Sequence, residues 1–290
     1  RSAVSKRISA MEDIVGAKLL ERRQRGVEIT AAGLALERHA REILSSMERI
    51  HVDLKNGARN PEGQVRVAAA MSTVDRRLLA DISSFLHQHD RIGVGIVEKL
   101  AVEAIRAVEE GRADVGICWE GAHTRFMNCT SYHDDSVCLV VGQGHGLAGR
   151  ESVSFSEVLD HDLVDIAPGC IMSMRMHREA AQLGKRIRSR IQVNTFDAAL
   201  NAIRGGLGIT VMPAGMVGDD ARLRLIPIED VWTRRHVVLC TKEGSEMTLP
   251  TRLFVEYLCS GNRPTRSNPD LRVSLLGWDL QSDEETSRGG

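Results

Sequence analysis

The sequence predicts an α/β protein in three parts: a small basic head, a long dimerising helix and a body of two α/β units. Three observations predict it. Leu36, Ala40, Ile43, Met47, Ile50 and Leu54 recur at spacings of four, three, four, three and four, an unbroken 3.5-residue repeat. From Gln64 to Cys259 strand-like and helix-like stretches alternate. Charge is also uneven: residues 1–30 hold seven basic and four acidic side chains, 7 − 4 = +3, so a net of −1 over 290 residues leaves −4 for the rest. A basic head on a mildly acidic body suits contact with nucleic acid at one end.

In the head, Val4, Ile8 and Met11 lie at helical spacing and are expected to form a buried face. Ser5, Lys6 and Ser9 then lie on other sides, where short hydroxyls and a cation can meet base edges or phosphates in a major groove. Gly16 closes this helix. Val27 and Ile29 alternate with Glu28 after Gly26, which reads as a hairpin with Arg22, Arg23 and Arg25 placed for a phosphate backbone. Thr30 is a candidate N-cap for the long helix. From Ala31 to Arg59 there is no proline, so these 29 residues predict a rod of about 40 Å. Between its apolar positions lie mostly charged residues, so one narrow stripe needs a partner. The competing reading is an amphipathic helix lying on its own domain.

Asn56 to Gly63 is a turn-rich hinge. The body is then expected to run strand 64–69, helix 76–88, strand 93–97, helix 101–110 and strand 115–118, a parallel sheet. Strand 136–141 leads into a second unit with strand 162–166, helix 174–183, strand 187–193, helix 196–204 and strand 208–212. Strand 236–240 returns to the first sheet and helix 249–259 closes the body. Two units joined by two crossings leave a cleft, and ligands of open α/β sheets sit at the carboxyl ends of strands.

Composition excludes several classes. The six cysteines (Cys118, Cys129, Cys138, Cys170, Cys240, Cys259) form no C-x-x-C pair, no zinc spacing and no small disulfide framework. They read as reduced, packed thiols of a cytoplasmic protein, and no cofactor or metal is expected. Cys170 to His177 is rich in soft ligands, yet methionine on a short helix usually packs. No run is apolar enough to span a bilayer, so no membrane partner is expected. There is no Walker loop, G-x-S-x-G elbow or H-E-x-x-H, and Gly205-Gly206-Leu207-Gly208 precedes a strand, the wrong context for a phosphate loop. No enzyme is expected.

Ser2-Ala3-Val4-Ser5-Lys6-Arg7-Ile8, Met11-Glu12, Gly16, Leu19-Leu20-Glu21-Arg22, Arg25-Gly26-Val27 and Thr30-Ala31-Ala32-Gly33 resemble, in order and spacing, the winged helix-turn-helix of LysR-type transcriptional regulators. Gly63 to Val67, Glu110 to Ile117, Gly205 to Ile209 and Met212-Pro213 resemble the effector-binding region of that family, which has the fold of periplasmic solute-binding proteins. His145-Gly146-Leu147-Ala148 matches a family turn with glycine in place of proline. The resemblance covers residues 1–261. It implies that Ser2, Ser5, Lys6 and Arg7 lie on the recognition helix, with Arg22, Arg23 and Arg25 at the wing. The chain opens at Arg1, already inside a helical pattern, so it is expected to lack its natural N-terminus and the earlier helices of this module. The expected domains are a partial winged helix-turn-helix (1–30), a linker helix (31–59) and an effector-binding domain (60–261). That domain divides into subdomain I (64–141 plus 236–261) and subdomain II (142–235), and 262–290 is expected to be a disordered tail.

By position, the resemblance implies effector contacts at Ser72, Thr73, Lys99, Cys118, Trp119, Pro168, Gly169, Asn194, Thr195 and Phe196. Ser72 and Thr73 precede a helix, where hydroxyls and free N–H groups favour a carboxylate, and Lys99 can add charge. The alternatives at these positions are helix caps for Ser72, Thr73 and Thr195, a solvated Lys99, and a core or wall position for Trp119. Oxidant-sensing members suggest a Cys118–Cys129 pair, for which the residues offer no further support. The expected partners are double-stranded DNA, a small carboxylate effector and a second copy paired through Leu36 to Leu54, with tetramers implied by the family. The alternative function is a small-molecule sensor without DNA-binding activity.

Overall fold

The computed structural model describes residues 3–23, 26–55 and 61–260. The head begins with helix α1 (Ala3–Val15), ended by Gly16, whose φ of +70° suits glycine and whose N–H donates to the Glu12 carbonyl. Strands β1 (Leu20–Arg23) and β2 (Gly26–Ile29) pair antiparallel, with Leu20 opposite Ile29. The expected apolar face of α1 is not buried: Val4 is 64% and Met11 42% exposed. The buried residue on this helix is Glu12 instead. Its carboxylate accepts from the Leu19 N–H at 2.9 Å, the Leu20 N–H at 3.3 Å and Lys18 Nζ at 2.7 Å. These charge-assisted bonds tie α1 to the hairpin and hold the Glu12 carboxyl below the usual carboxylate range, with Lys18 the largest cause.

Helix α2 (Ala31–Lys55) starts where the cap was expected, with the Gly33 N–H donating to Thr30 Oγ1 at 3.0 Å. Gly33 is required by close approach, because a Cβ there would stand 2.2 Å from the Leu19 carbonyl oxygen. The observed helix ends at Lys55, and 56–59 lie outside the described residues. Along its stripe Leu36 and Ala40 are half-buried, and Ile43 and Met47 are each 61% exposed in the single chain.

The body is a mixed sheet rather than a parallel one. Strands β3 (Gly63–Ala70) and β4 (Ile92–Lys99) flank helix α3 (Arg76–Gln88), and α4 (Ala101–Glu109) leads to β5 (Val115–Trp119). β4 and β5 both pair parallel to β3. β6 (Met127–Gly142) begins nine residues earlier than the sequence pattern suggested. The second unit holds α5 (Phe155–Val158), β7 (Asp162–Ile166), α6 (Ile171–Gln182), β8 (Arg188–Val193), α7 (Phe196–Arg204), β9 (Thr210–Pro213) and β10 (Leu223–Pro227). β11 (Arg234–Lys242) and α8 (Leu249–Ser260) complete the chain described. β11 returns antiparallel to both β5 and β6. The first half of β6 pairs with β11 and its second half with β9 and β10, so this one strand belongs to both units. β7 and β8 pair parallel by themselves.

Each unit has its own apolar core. In the first, Leu78 and Phe85 of α3 meet Val65 and Val67 of β3, Ile117 of β5 and Phe254 of α8. The Phe85 and Phe254 rings stand edge to face, centroids 5.3 Å apart. In the second, Phe155, Leu163, Met176 and Ile209 form one cluster, and Val140, Leu200, Ile203 and Met212 another. Full burial of such side chains stabilises by roughly 1.5–3 kcal/mol each.

Candidate effector cleft

The cleft lies where the carboxyl ends of β3, β4 and β5 face β7, the start of α6 and the start of α7. It encloses about 60 Å³. About 10–15 Å³ of such space holds one water, so this is room for a few waters or a very small molecule. The first unit contributes Ser72, from a single 3-10 turn after β3, Lys99 at the end of β4 and Trp119 at the end of β5. The second contributes Asp165 and Ala167, Cys170 and Ser173 from the α6 entry, and Phe196 from α7.

Of the ten effector positions expected from the sequence, Ser72, Lys99, Trp119 and Phe196 are brought together on this wall. Ser72 is not a cap, since Asp75 caps α3 through the Leu78 N–H at 2.9 Å. Lys99 makes no ion pair among the described residues. Trp119 is both buried and part of the wall. Thr73 lies outside the lining, because its buried hydroxyl donates to the Ala70 carbonyl at 2.8 Å. Cys118 also lies outside: the pleat turns it under α4 beside Ala101 and Ile105, away from Trp119. Pro168, Gly169, Asn194 and Thr195 are exposed beside the cleft but do not line it. Thr195 caps α7, accepting from the Ala198 N–H at 3.2 Å.

The loop bearing Pro168 and Gly169 carries strain. Ala167, a lining residue, has φ of +46°, which a Cβ disfavours by roughly 1–2 kcal/mol. Its N–H donates to the Val193 carbonyl at 2.7 Å, which fixes the turn. Cys170 caps α6, its sulfur accepting from the Ser173 N–H at 3.4 Å. Met176 packs in the core. Among the described residues no group of three His, Cys, Asp or Glu side chains is placed to hold a metal ion. Cys129 faces Cys240, with sulfurs 3.3 Å apart. Its contact with Cys240 and then burial push the Cys129 thiol well above the ordinary range. The Cys240 thiol is pushed up by its contact with Cys118 and by burial, against the lowering effect of Cys129.

Two cleft groups escaped the sequence reading. Arg235, on β11, is 7% exposed. Its Nη2 donates to Asp135, and its guanidinium carbon stands 5.6 Å from the Trp119 ring centroid. Its Nε and Nη1 are buried without a hydrogen-bond partner. Asp165, on β7, is 6% exposed and accepts from the Ser173 hydroxyl at 3.3 Å. The available signal for Arg235 was alternation: it shares strand parity with Val237 and Leu239, which are core residues.

At the other end of the molecule, Lys6 and Arg7 are exposed on α1. Arg23 is held by Glu28 at 3.1 Å and Glu21 at 3.5 Å. Ser2, Arg25 and the Arg22 side chain lie outside the described residues.

A clefted two-unit body carried on a rod with a small helix-and-hairpin head is the build of a ligand-responsive DNA-binding protein. Comparison with known proteins identifies the group. Residues 58–261 match the LysR substrate binding domain, and residues 1–34 match the bacterial regulatory helix-turn-helix protein, lysR family. The chain belongs to the LysR family of transcriptional regulators. It is 24% identical over 264 residues to the RuBisCO operon transcriptional regulator of Allochromatium vinosum, covering 89% of this chain and 86% of that one. Its fold is similar to full-length CbnR complexed with its target DNA, at TM-score 0.67 and 19% identity over 89% of each chain. It is also similar to the Synechocystis PCC6803 CcmR regulatory domain in complex with 2-PG, at TM-score 0.64 and 17% identity, covering 71% of this chain and all of that one. No helix among the described residues is long and apolar enough to cross a membrane.

Proposed function

We propose that this regulator binds operator DNA through its head as a homodimer, and that a small anionic effector held between the two units of the body modulates that binding. The domain plan is the one expected above, with residues 1–30 on DNA, 31–59 as the pairing rod and 60–261 as the sensor, acting in the cytoplasm. The observation that carries the reading is the cleft itself, where Ser72 and Lys99 share a wall at the strand ends. CcmR, whose regulatory domain has this fold, is seen in complex with 2-PG, an example of a regulator of this build holding a small molecule.

In this reading Ser2, Ser5, Lys6 and Arg7 meet the major groove, and Arg22, Arg23 and Arg25 meet phosphates. The exposed stripe of α2 pairs two copies, and dimers pair again through their bodies. Effector closure of the cleft shifts how bodies associate and so the spacing or bend imposed on DNA. The test is a salt-titrated anisotropy assay on the DNA upstream of its own gene. Ser5→Ala or Lys6→Ala is expected to weaken specific binding by about tenfold while sparing unrelated DNA, and Arg25→Ala to weaken both and flatten the salt slope. Equal losses on all sequences for all three variants would remove the recognition-helix assignment.

A further inference from the structure

Arg235 and Asp165 are both buried in the lining of one cleft; Arg235 has two nitrogens without a partner, and Asp165 accepts one hydrogen bond, from Ser173. Burying an ionised group is costly unless hydrogen bonds satisfy it. Arg235 spends one nitrogen on Asp135 and leaves Nε and Nη1 with none. Those N–H groups are donors only, and a guanidinium does not lose its charge. What completes them must be an acceptor, and an anionic one is preferred. Asp165 has the reverse need. Ionised, it only accepts, and the Ser173 hydroxyl supplies one long bond to one of its oxygens. What completes it must be a donor.

Asp165 stands on β7 of the second unit, and Arg235 at the boundary, where β11 crosses back to the first unit and pairs with Asp135 of β6. A molecule touching both therefore joins the second unit to the crossing strand. Around them the wall is apolar, with Leu100, Ile171 and Phe196. A space of about 60 Å³ suits a short carbon skeleton between the charged ends.

We propose that the effector is a small carboxylate bearing its own hydrogen-bond donor, a hydroxyl or an ammonium, a few atoms from the carboxylate. Arg235 receives the carboxylate and Asp165 selects the donor. This rests on the cleft being the effector site, and it narrows that site's ligand class beyond an anion.

The test uses the full chain and three carboxylates on one skeleton: propionate, lactate and alanine. Calorimetric titration at up to millimolar ligand is expected to give binding of lactate or alanine tighter than propionate by about tenfold to a hundredfold, the range of a hydrogen bond to a charged group. The tighter of the two says whether the donor is hydroxyl or ammonium. Asp165→Asn is expected to bring the donor-bearing acid down to the level of propionate. Arg235→Met is expected to abolish binding of all three, and Arg235→Lys, which keeps a charge for Asp135, to retain a weakened remnant. Equal binding of all three acids to the unaltered protein overturns the proposal, as does binding of none. An Arg235→Met protein that melts cooperatively and binds normally also overturns it. Operator binding by the same preparations keeps the outcomes apart: if DNA is bound but no acid is preferred, the ligand class fails and the regulator reading stands.

Discussion

The body and the first 55 residues are built on opposite principles. In the body, Phe85, Leu163, Ile203 and Phe254 are almost completely buried within clusters formed by their own chain. In the head and rod, Val4, Met11, Ile14, Ile43, Met47 and Ile50 lie exposed. The head is fastened to its hairpin by one buried carboxylate, Glu12, rather than by an apolar core. The same physical rule explains both. Apolar surface is removed from water wherever a facing element exists. The body supplies those elements itself. The described head and rod do not, and in the reading proposed above a second copy covers the stripe of the rod.

The largest test of that contrast is a cavity in the body. Phe254→Ala is expected to cost about 3–5 kcal/mol, seen as a clear drop in denaturant midpoint. A change within error would mean that the α8 packing is not what holds the first unit together. Next comes the rod: Ile43→Lys is expected to turn dimers into monomers in light scattering while the melting of the body stays put. A dimer of unchanged mass would place the interface elsewhere.

A smaller effect follows from buried imidazoles. Burial lowers His123, whose ring lies 5.7 Å from that of Trp119, and burial also lowers His133. The unfolded chain takes up these protons near the ordinary value of 6.5, and the folded chain only below it. The contribution of these two imidazoles to stability is therefore fully present above pH 6.5 and is lost as pH falls toward the lower folded values. Thermal melts from about pH 7 to 5 should fall, and should fall less in His123→Gln. A flat profile for the unaltered protein counts against these imidazoles being buried neutral. The smallest expected change is Ala167→Gly, which relieves the positive φ and is worth at most about 1 kcal/mol in either direction. A loss well beyond that would show that the Ala167 methyl packs on the cleft wall.

Much of the architecture was legible because it is local. The helices at 76–88 and 196–204 and the strand at 162–166 match the pattern residue for residue, since each is an apolar period with a cap or turn at its ends. The Thr30 and Thr195 caps were likewise readable, because a cap acts across three residues. The misses were long-range. The first half of β6, with Asn128, Ser131, His133 and Asp134, has no apolar alternation, and pairing with β11 makes it a strand. β10 is a strand because β6 accepts it along an edge.

The site divides along the same line. By itself the sequence determined the helix and hairpin of the head, the long helix with its 3.5-residue stripe and the alternating body, because spacing along one element carries that information, while Ser72, Lys99, Trp119 and Phe196 came from the family resemblance carried over by position. Only the tertiary structure decided that Cys118 and Thr73 turn inward, that β11 runs antiparallel, and that Arg235 and Asp165 share one cleft. Those depend on which faces meet across residues far apart in the chain, and burial there gives a charge its meaning.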